Sequence, residues 1–493
     1  MSHQAKDISN FNLRAFCSDV LIYSFGQAIL LVFGFIQSLF IPKYLSTTDF
    51  GYWQLFLLYT SYVGILHLGF LNGILIRWAG KSPEDIKEEV PLAFKYTLLE
   101  QGVVIGILVL LVWIIGLPSG EIMLMVLANA FIVNLLMFFV ITAQATKRFK
   151  LITTANIGKG LLFLIFILIF FLGGYHSYFP LILATMASSL IITLLFSFHL
   201  RDSLFCHSGQ RGSLFQYGVD NIRFGIFVLL GNFIAILFMT IDRLTVESFF
   251  PITQFAVYAF AMTMCGLATT FLQAVAQVFF PYLSGSGSET RTKAYHLLRP
   301  FLVIFWAGVL AAYFPLSAWI RFYLPHYADS LPLMAILLCT VGFSGQIQIL
   351  HANFFNVYLK QRMYFILAGV SLIAAVALNL LVIMIFGTLT AVAVTAVISF
   401  SIWYLLNEFS LRRFVSMDVQ ELVKWLLVIG VYVGAFLVTF GLIQEWVYGM
   451  VIYLTIFMLV TGTVLKPEVI SLLNLVRAVV NRNKDINVIQ TEK

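Results

Sequence analysis

Three cations stand where a chain this apolar has little room for them. Lys159 sits beside the run "NIGKGLLFLIFILIFFLGG" (156–174). It follows Lys150 by nine residues, which on a helix places it about 13 Å deeper. A cation at the centre of a membrane helix costs roughly 2.5–3.5 kcal/mol on insertion scales, so it needs an outlet. Either its flexible stem reaches back to the headgroups, or its ammonium faces a wet cavity and meets an anion there. Both readings stand on the sequence alone. Gly158 and Gly160 beside it allow close approach of a ligand or of another helix. Arg223 follows Asp220 by three residues, a spacing that puts both on one helical face and reads as a local ion pair. Arg77 ends an apolar run in "ILIRWAGK", where snorkelling accommodates it. His67, Asn134, Asn232, Gln273, Gln277, His351 and Asn379 add polarity at depth. Interhelical hydrogen bonds account for most of these, and His67 is also a candidate carrier of a coupling proton. No carboxylate is expected firmly within a span.

The elements that must position these groups follow from composition. With 61% hydrophobic and 10% charged residues over 493 positions and a mean hydropathy of +0.97, the chain reads as an integral membrane protein. Taking about 20 apolar residues per crossing, the sequence predicts fourteen spans. They fall near 20–41, 52–76, 96–117, 121–143, 152–173, 178–199, 222–241, 254–280, 300–320, 331–352, 363–386, 389–407, 425–443 and 447–465. The apolar runs are continuous and do not alternate, which excludes a membrane β-barrel.

Basic residues collect on the cytoplasmic side of membrane proteins. With the N-terminus inside, most of the 29 Lys and Arg fall in segments assigned to that side, leaving Lys43, Arg243 and Arg321 outside. Both termini are therefore expected in the cytoplasm. The net charge of +7 belongs to these short loops and not to a nucleic-acid surface. The polar start reads as a retained first span and not as a cleaved signal. Cys17, Cys206, Cys265 and Cys339 show neither metal-ligand nor disulfide spacing and read as apolar fillers, so neither metal nor cofactor is expected.

Shifting the chain by 205 residues lays "YLSTTDFGYWQLF" (44–56) over "FFPITQFAVYAFA" (249–261), matching Phe50 with Phe255 and Gly51 with Ala256. Two parallel six-span lobes result, residues 1–200 and 219–410, joined by a polar linker at 201–218. Spans thirteen and fourteen (411–466) lie outside the repeat. Parallel repeats of this kind build transporters that rock around a midplane site. The tail, 467–493, contains an amphipathic stretch at 467–484 that would lie on the membrane surface or serve simply as a stop-transfer flank.

Three segments carry a family resemblance. "FGFIQSLFIPKYLSTTDFGYWQLF" resembles the first-to-second span segment of bacterial polysaccharide flippases of the O-antigen, Wzx type. Lys43 stands in that segment's basic position, while Leu45-Ser46-Thr47 departs from its usual Gly-Pro. "FQYGVDNIRFG" resembles the family's Tyr-Gly entry to span seven, and "IDRLTVESFFPITQFAVY" its Asp-Arg element. The resemblance places the chain in the multidrug/oligosaccharidyl-lipid/polysaccharide exporter superfamily. It implies an all-α polytopic membrane protein, about 14 transmembrane helices, with two six-helix lobes around a central cavity plus two extra C-terminal helices.

What the resemblance implies for function is movement of undecaprenyl-diphosphate-linked oligosaccharide from the inner to the outer leaflet of the bacterial cytoplasmic membrane. Membrane lipids and other polysaccharide-assembly proteins are the implied partners. Lys159 would then offer its ammonium to a diphosphate or an acidic sugar, and Arg223 and Arg77 would join it as cavity cations. Asp242, Arg243, Asp220 and Lys43 would form gate or helix-end ion pairs. His67, Asn232, Gln273, Gln277 and His351 would supply a polar or coupling lumen. The alternatives are a cation-coupled drug exporter, a lipid II flippase of the same fold, and a membrane polymerase. The short outer loops and lack of a DxD pair count against the last.

Overall fold

The computed structural model describes residues 13–116, 119–204, 213–284, 288–472 and 474, with the backbone alone described at 13–25, 203, 271–284 and 288–290. Among the described residues the chain is helical throughout and contains no strand. The helices are α1 Leu13–Tyr44, α2 Thr47–Thr60, α3 Phe70–Trp78, α4 Pro83–Ile86, α5 Val90–Ile115 and α6 Gly120–Ala145. Next come α7 Phe149–Leu172, α8 Tyr178–His199, α9 Arg201–Leu204, α10 Leu214–Phe249, α11 Ile252–Ser284 and α12 Ser288–Tyr323. The remainder are α13 Leu331–Gln346, α14 Ala352–Val357, α15 Gln361–Ile385, α16 Leu389–Leu411, α17 Val419–Leu442 and α18 Trp446–Thr463. Thirteen helical segments are long and apolar enough to cross a membrane, and a fourteenth crossing is bent. The protein is thus a multi-pass membrane protein, as its apolar runs predict.

The bent crossing is span two. Its hydropathy run predicts one helix, yet α2 gives way to a 3₁₀ segment, Val63–His67, and then to α3, with a bend of 62°. Leu68 (φ +46) and Gly69 (φ +90) occupy the left-handed region that ends a helix. Gly69 is required there twice, because a Cβ would also sit 2.7 Å from the backbone nitrogen of Ile226. At the other end Ser46 caps α2, accepting from the Asp49 amide at 3.0 Å. In the loop before α5, Ser82 and Asp85 form a reciprocal capping box, and its hydrogen bonds hold the exposed Asp85 carboxyl below its usual range.

The chain divides into two compact units, one ending at Ala259 and one starting at Phe260. In the first, α10 packs along α3. A Cβ on Gly73 would strike the Asn221 carbonyl and one on Gly225 the Gly69 carbonyl, so small residues bring the two backbones together. Phe70, Ile74, Trp78, Phe138, Phe139 and Phe196 fill the core beside this crossing. The sequence predicts only about 20 residues for span seven; α10 has 36, because nothing between Leu214 and Phe249 breaks it. Leu161, Ile165, Leu168 and Leu172 on α7 stay exposed, as suits a surface bathed in lipid.

In the second unit nearly all of α13 is buried. Trp306 donates to the Leu338 carbonyl at 3.0 Å and Tyr453 to that of Ala307 at 3.0 Å, tying α12 to α13 and α18. Span ten is interrupted by a π-helical turn, Ile347–His351, between α13 and α14. Most of the amphipathic stretch at 467–484 lies outside the described residues, as do Cys206 and the Cys17 side chain; Cys265 and Cys339 are buried.

Candidate functional site

Lys159 is the eleventh residue of the 24-residue α7, about 15 Å from its start and 20 Å from its end. It is half-buried. Counting in steps of three, four and seven, it shares a face with Ile152, Asn156 and Phe163, and stands away from the exposed Leu161, Ile165 and Leu168. Gly158 meets Ile192 of α8, and Gly160 meets Phe33 and Leu30 of α1. The ammonium is therefore carried on the inward side of α7. It makes no ion pair or hydrogen bond among the described residues.

Arg77 and Arg223 stand at the α3–α10 crossing. The Arg77 guanidinium donates to Asn221 Oδ1 at 3.3 Å and lies 5.8 Å from the Tyr217 ring centre. Arg223, two residues on, is exposed. The expected Asp220–Arg223 ion pair does not form: Asp220 instead accepts from Gln216 at 3.2 Å. These two cations share one crossing. Lys159 belongs to α7, which packs on α1 and α8, so the three are not gathered into one cluster.

Asp242 is buried and accepts from the Tyr258 hydroxyl at 2.7 Å. Arg243 is half-buried beside it without a direct ion pair to it. Tyr62 hydrogen-bonds Thr240, and Tyr59 donates to Glu247 at 2.9 Å, so α2, α10 and the start of α11 share a polar seam. Next to it opens a cavity of about 710 Å³ lined by Tyr52, Trp113, Glu121, Tyr178, Glu247 and Phe250. Lys43 closes α1 in its last turn. Asn232 is exposed on α10. Gln273 and Gln277 lie where side chains fall outside the described residues.

His67 is buried at the break in span two, where its Nδ1 accepts from the Gly69 amide at 3.2 Å. That leaves its proton on Nε2. The carbonyls released by the break are capped by two side chains that the sequence gives no reason to pair. Gln101 donates to the Leu66 carbonyl at 3.1 Å, while Asn134 donates to the Val63 carbonyl at 3.2 Å and to Gln101 Oε1 at 2.7 Å. Beside them Glu100 is 7% exposed. The expectation of no carboxylate firmly within a span is overturned: α5 begins at Val90 and carries Glu100 ten residues deep.

The second unit holds a charge cluster that the sequence leaves unread. Arg299 and Glu408 are both 0% exposed and 3.1 Å apart. Glu408 also meets His351 Nε2 at 3.2 Å and the Tyr295 hydroxyl at 2.9 Å, while Arg299 donates to Tyr404 at 3.2 Å. His296 meets Glu421 at 2.9 Å nearby. His351 is thus built into a buried lock and does not face open space. Arg299 escapes notice because it precedes an apolar run and counts as a loop cation. Asn379, accepting from Thr395 at 3.2 Å, is the interhelical bond its type suggests.

The family described as polysaccharide biosynthesis protein matches residues 16–286, more than half of the chain. The chain belongs to that family. Among solved structures, the lipid II flippase MurJ in an inward closed conformation is similar at a TM-score of 0.61 and 13% identity, covering 91% of this chain and 100% of that one. An inward-facing multidrug resistance MATE family transporter of the MOP superfamily reaches 0.60 at 13% identity, covering 80% and 96%. A mutant of the Vibrio cholerae MATE transporter VcmN reaches 0.55 at 15% identity, again covering 80% and 96%. These likenesses show a shared fold. No curated relative matches the chain. The resemblance drawn from the three sequence segments and the all-helical fold class are both borne out.

Proposed function

We propose that this polysaccharide biosynthesis family protein is a flippase carrying undecaprenyl-diphosphate-linked oligosaccharide repeat units across the bacterial cytoplasmic membrane, from the inner to the outer leaflet, without covalent chemistry. The observation that carries the reading is Lys159: a cation midway along a crossing helix, on its inward face, with no described partner. A sugar diphosphate cannot cross about 30 Å of hydrocarbon unaided, and such an ammonium offers its anion a foothold. Arg77 and Arg223 are a second foothold nearer one helix end. In this reading both termini are cytoplasmic and the lobes alternate in exposing a central cavity.

Family membership and the fold shared with a lipid II flippase over 91% of the chain support a lipid-linked cargo. The likeness to multidrug transporters keeps drug export as the second reading. The test is the sidedness of isoprenoid-linked saccharide, read with an impermeant probe of the outer leaflet in cells lacking the protein and any flippase that could replace it. Inner-leaflet accumulation is expected, reversed by the wild type and by Lys159→Arg far better than by Lys159→Ala. Normal exposure of unpolymerised units would point to a later enzyme. Unchanged glycan with altered drug sensitivity would point to an exporter.

A further inference from the structure

Helix ends of the first unit meet around the 710 Å³ cavity beside the polar seam. α5 stops at Ile115, where Gly116 turns left-handed (φ +64), α6 starts at Gly120, and α8 starts at Tyr178. α10 stops at Phe249 and α11 starts at Ile252. Tyr178 follows the end of α7 by six residues, so the cavity lies at that end of the bundle, about 20 Å along α7 from Lys159. Its walls combine two kinds of side chain. Tyr52, Trp113, Tyr178 and Phe250 present rings, and Glu121 and Glu247 present carboxylates. Tyr52 and Tyr178 stand 5.2 Å apart centre to centre at 46°, so their faces form a corner and not a closed stack. The Trp113 indole is 79% exposed. Glu247 accepts from Tyr59 and, at 3.3 Å, from Ser248, which fix its carboxylate. Glu121, in the first turn of α6, is exposed and receives no hydrogen bond among the described residues. Among those residues no Lys, Arg or His lines the cavity. Lys43 belongs to the last turn of α1 and Arg243 to α10, one turn before Glu247, and neither is in the walls.

We infer that this cavity is a saccharide subsite, which takes an uncharged pyranose ring of the cargo and refuses the diphosphate and acidic sugars. The inference rests on the flippase reading for the identity of that cargo. A pyranose has apolar C–H faces and a rim of hydroxyls. Aromatic rings bury the faces, and a carboxylate accepts from hydroxyls of the rim in charge-assisted bonds. Two carboxylates with no cation in the walls repel a diphosphate or a uronate. The volume falls in the range that takes small organic ligands. It is wide for the compact aromatic cage that closes on an ammonium head, the other ligand such a wall could attract. The cargo's head group is thereby divided between two places. Lys159, Arg77 and Arg223 serve its anion, and the cavity serves its sugar. In the proposed orientation the cavity is at the outer end, so a sugar seated there has crossed while its diphosphate is still at the depth of Lys159.

The probe is the repeat-unit oligosaccharide released by mild acid from the isoprenoid-linked pool of the producing cells, so that it carries neither lipid nor phosphate. Saturation-transfer NMR with the purified full-length protein in lipid nanodiscs reads which of its ring protons touch the protein. Transfer is expected with the wild type, falling several-fold in Trp113→Ala and Tyr178→Ala and recovering in Trp113→Phe and Tyr178→Phe. Trp113 is exposed, so its replacement spares the packing, and an unchanged melting temperature checks this. Glu121→Gln should weaken transfer to the oligosaccharide several-fold and raise transfer to free glucuronate above its wild-type level, a reversal that a packing role would not produce. Inorganic pyrophosphate should not displace the oligosaccharide. Transfer that is absent, that survives both ring truncations unchanged, or that pyrophosphate abolishes would overturn the inference. Transfer to tetramethylammonium in place of the oligosaccharide would overturn it in favour of an ammonium site. The sidedness assay separates the two failures: inner-leaflet accumulation without oligosaccharide binding strikes the subsite alone, whereas normal sidedness removes the flippase reading itself.

Discussion

Two buried glutamates, one in each compact unit and each on a helix packed beside an interrupted one, are held in opposite ways. At the π-helical turn of span ten, Glu408 meets an arginine, a histidine and a tyrosine, each within 3.2 Å. Glu100, on the helix packed beside the 3₁₀ break of span two, has no such group bonded to its carboxylate among the described residues. Residue type and burial are alike, so the difference lies in what surrounds each carboxylate. A buried charge with fixed counter-groups behaves as a lock, since breaking it strands the partner. A buried acid without such counter-groups strands no partner when it is replaced.

The contrast is sharpest under substitution. Glu408→Gln or Arg299→Met should destabilise by about 3–5 kcal/mol by stranding the remaining charge, read as a large drop in melting temperature and in folded yield. Glu100→Gln should cost little or raise stability; a comparable drop would break the comparison. At the α3–α10 crossing, Gly225→Val should cost about 1–3 kcal/mol by forcing the backbones apart, measured by thermal denaturation beside a neutral control such as Gly266→Ala. Asn134→Leu strips the Val63 carbonyl of its donor and should cost about 1–2 kcal/mol, with faster amide exchange confined to the span-two break. Ser46→Ala removes the helix cap and its hydroxyl's bond to the Asp49 carboxylate and should cost about 1 kcal/mol.

Much of this was legible in the sequence, and the misses have physical causes. All fourteen crossings appear in the apolar runs, because desolvation dominates every other term at this composition. The break at His67-Leu68-Gly69 did not, since a single Gly in an apolar run is equally at home as a packing residue. Glu100 was overlooked because hydropathy starts span three at 96, making a buried acid look like the end of a loop. Arg299 and Glu408 sit near the ends of their spans for the same reason, and only three-dimensional pairing reveals that they meet. Lys159 was visible because nothing near it in the sequence masks its charge.

The repeat has a consequence of its own. Gly51 and Ala256, equivalent under the 205-residue shift, lie against one another: a Cβ on Gly51 would come within 3.2 Å of that of Ala256 and 2.7 Å of the Ile252 carbonyl. If the two halves descend from one duplicated gene, this is a point where an ancestral subunit would have touched its own twin. A single mutation there would have acted on both sides of the contact at once. In one chain the two positions vary separately, and here one carries a hydrogen and the other a methyl.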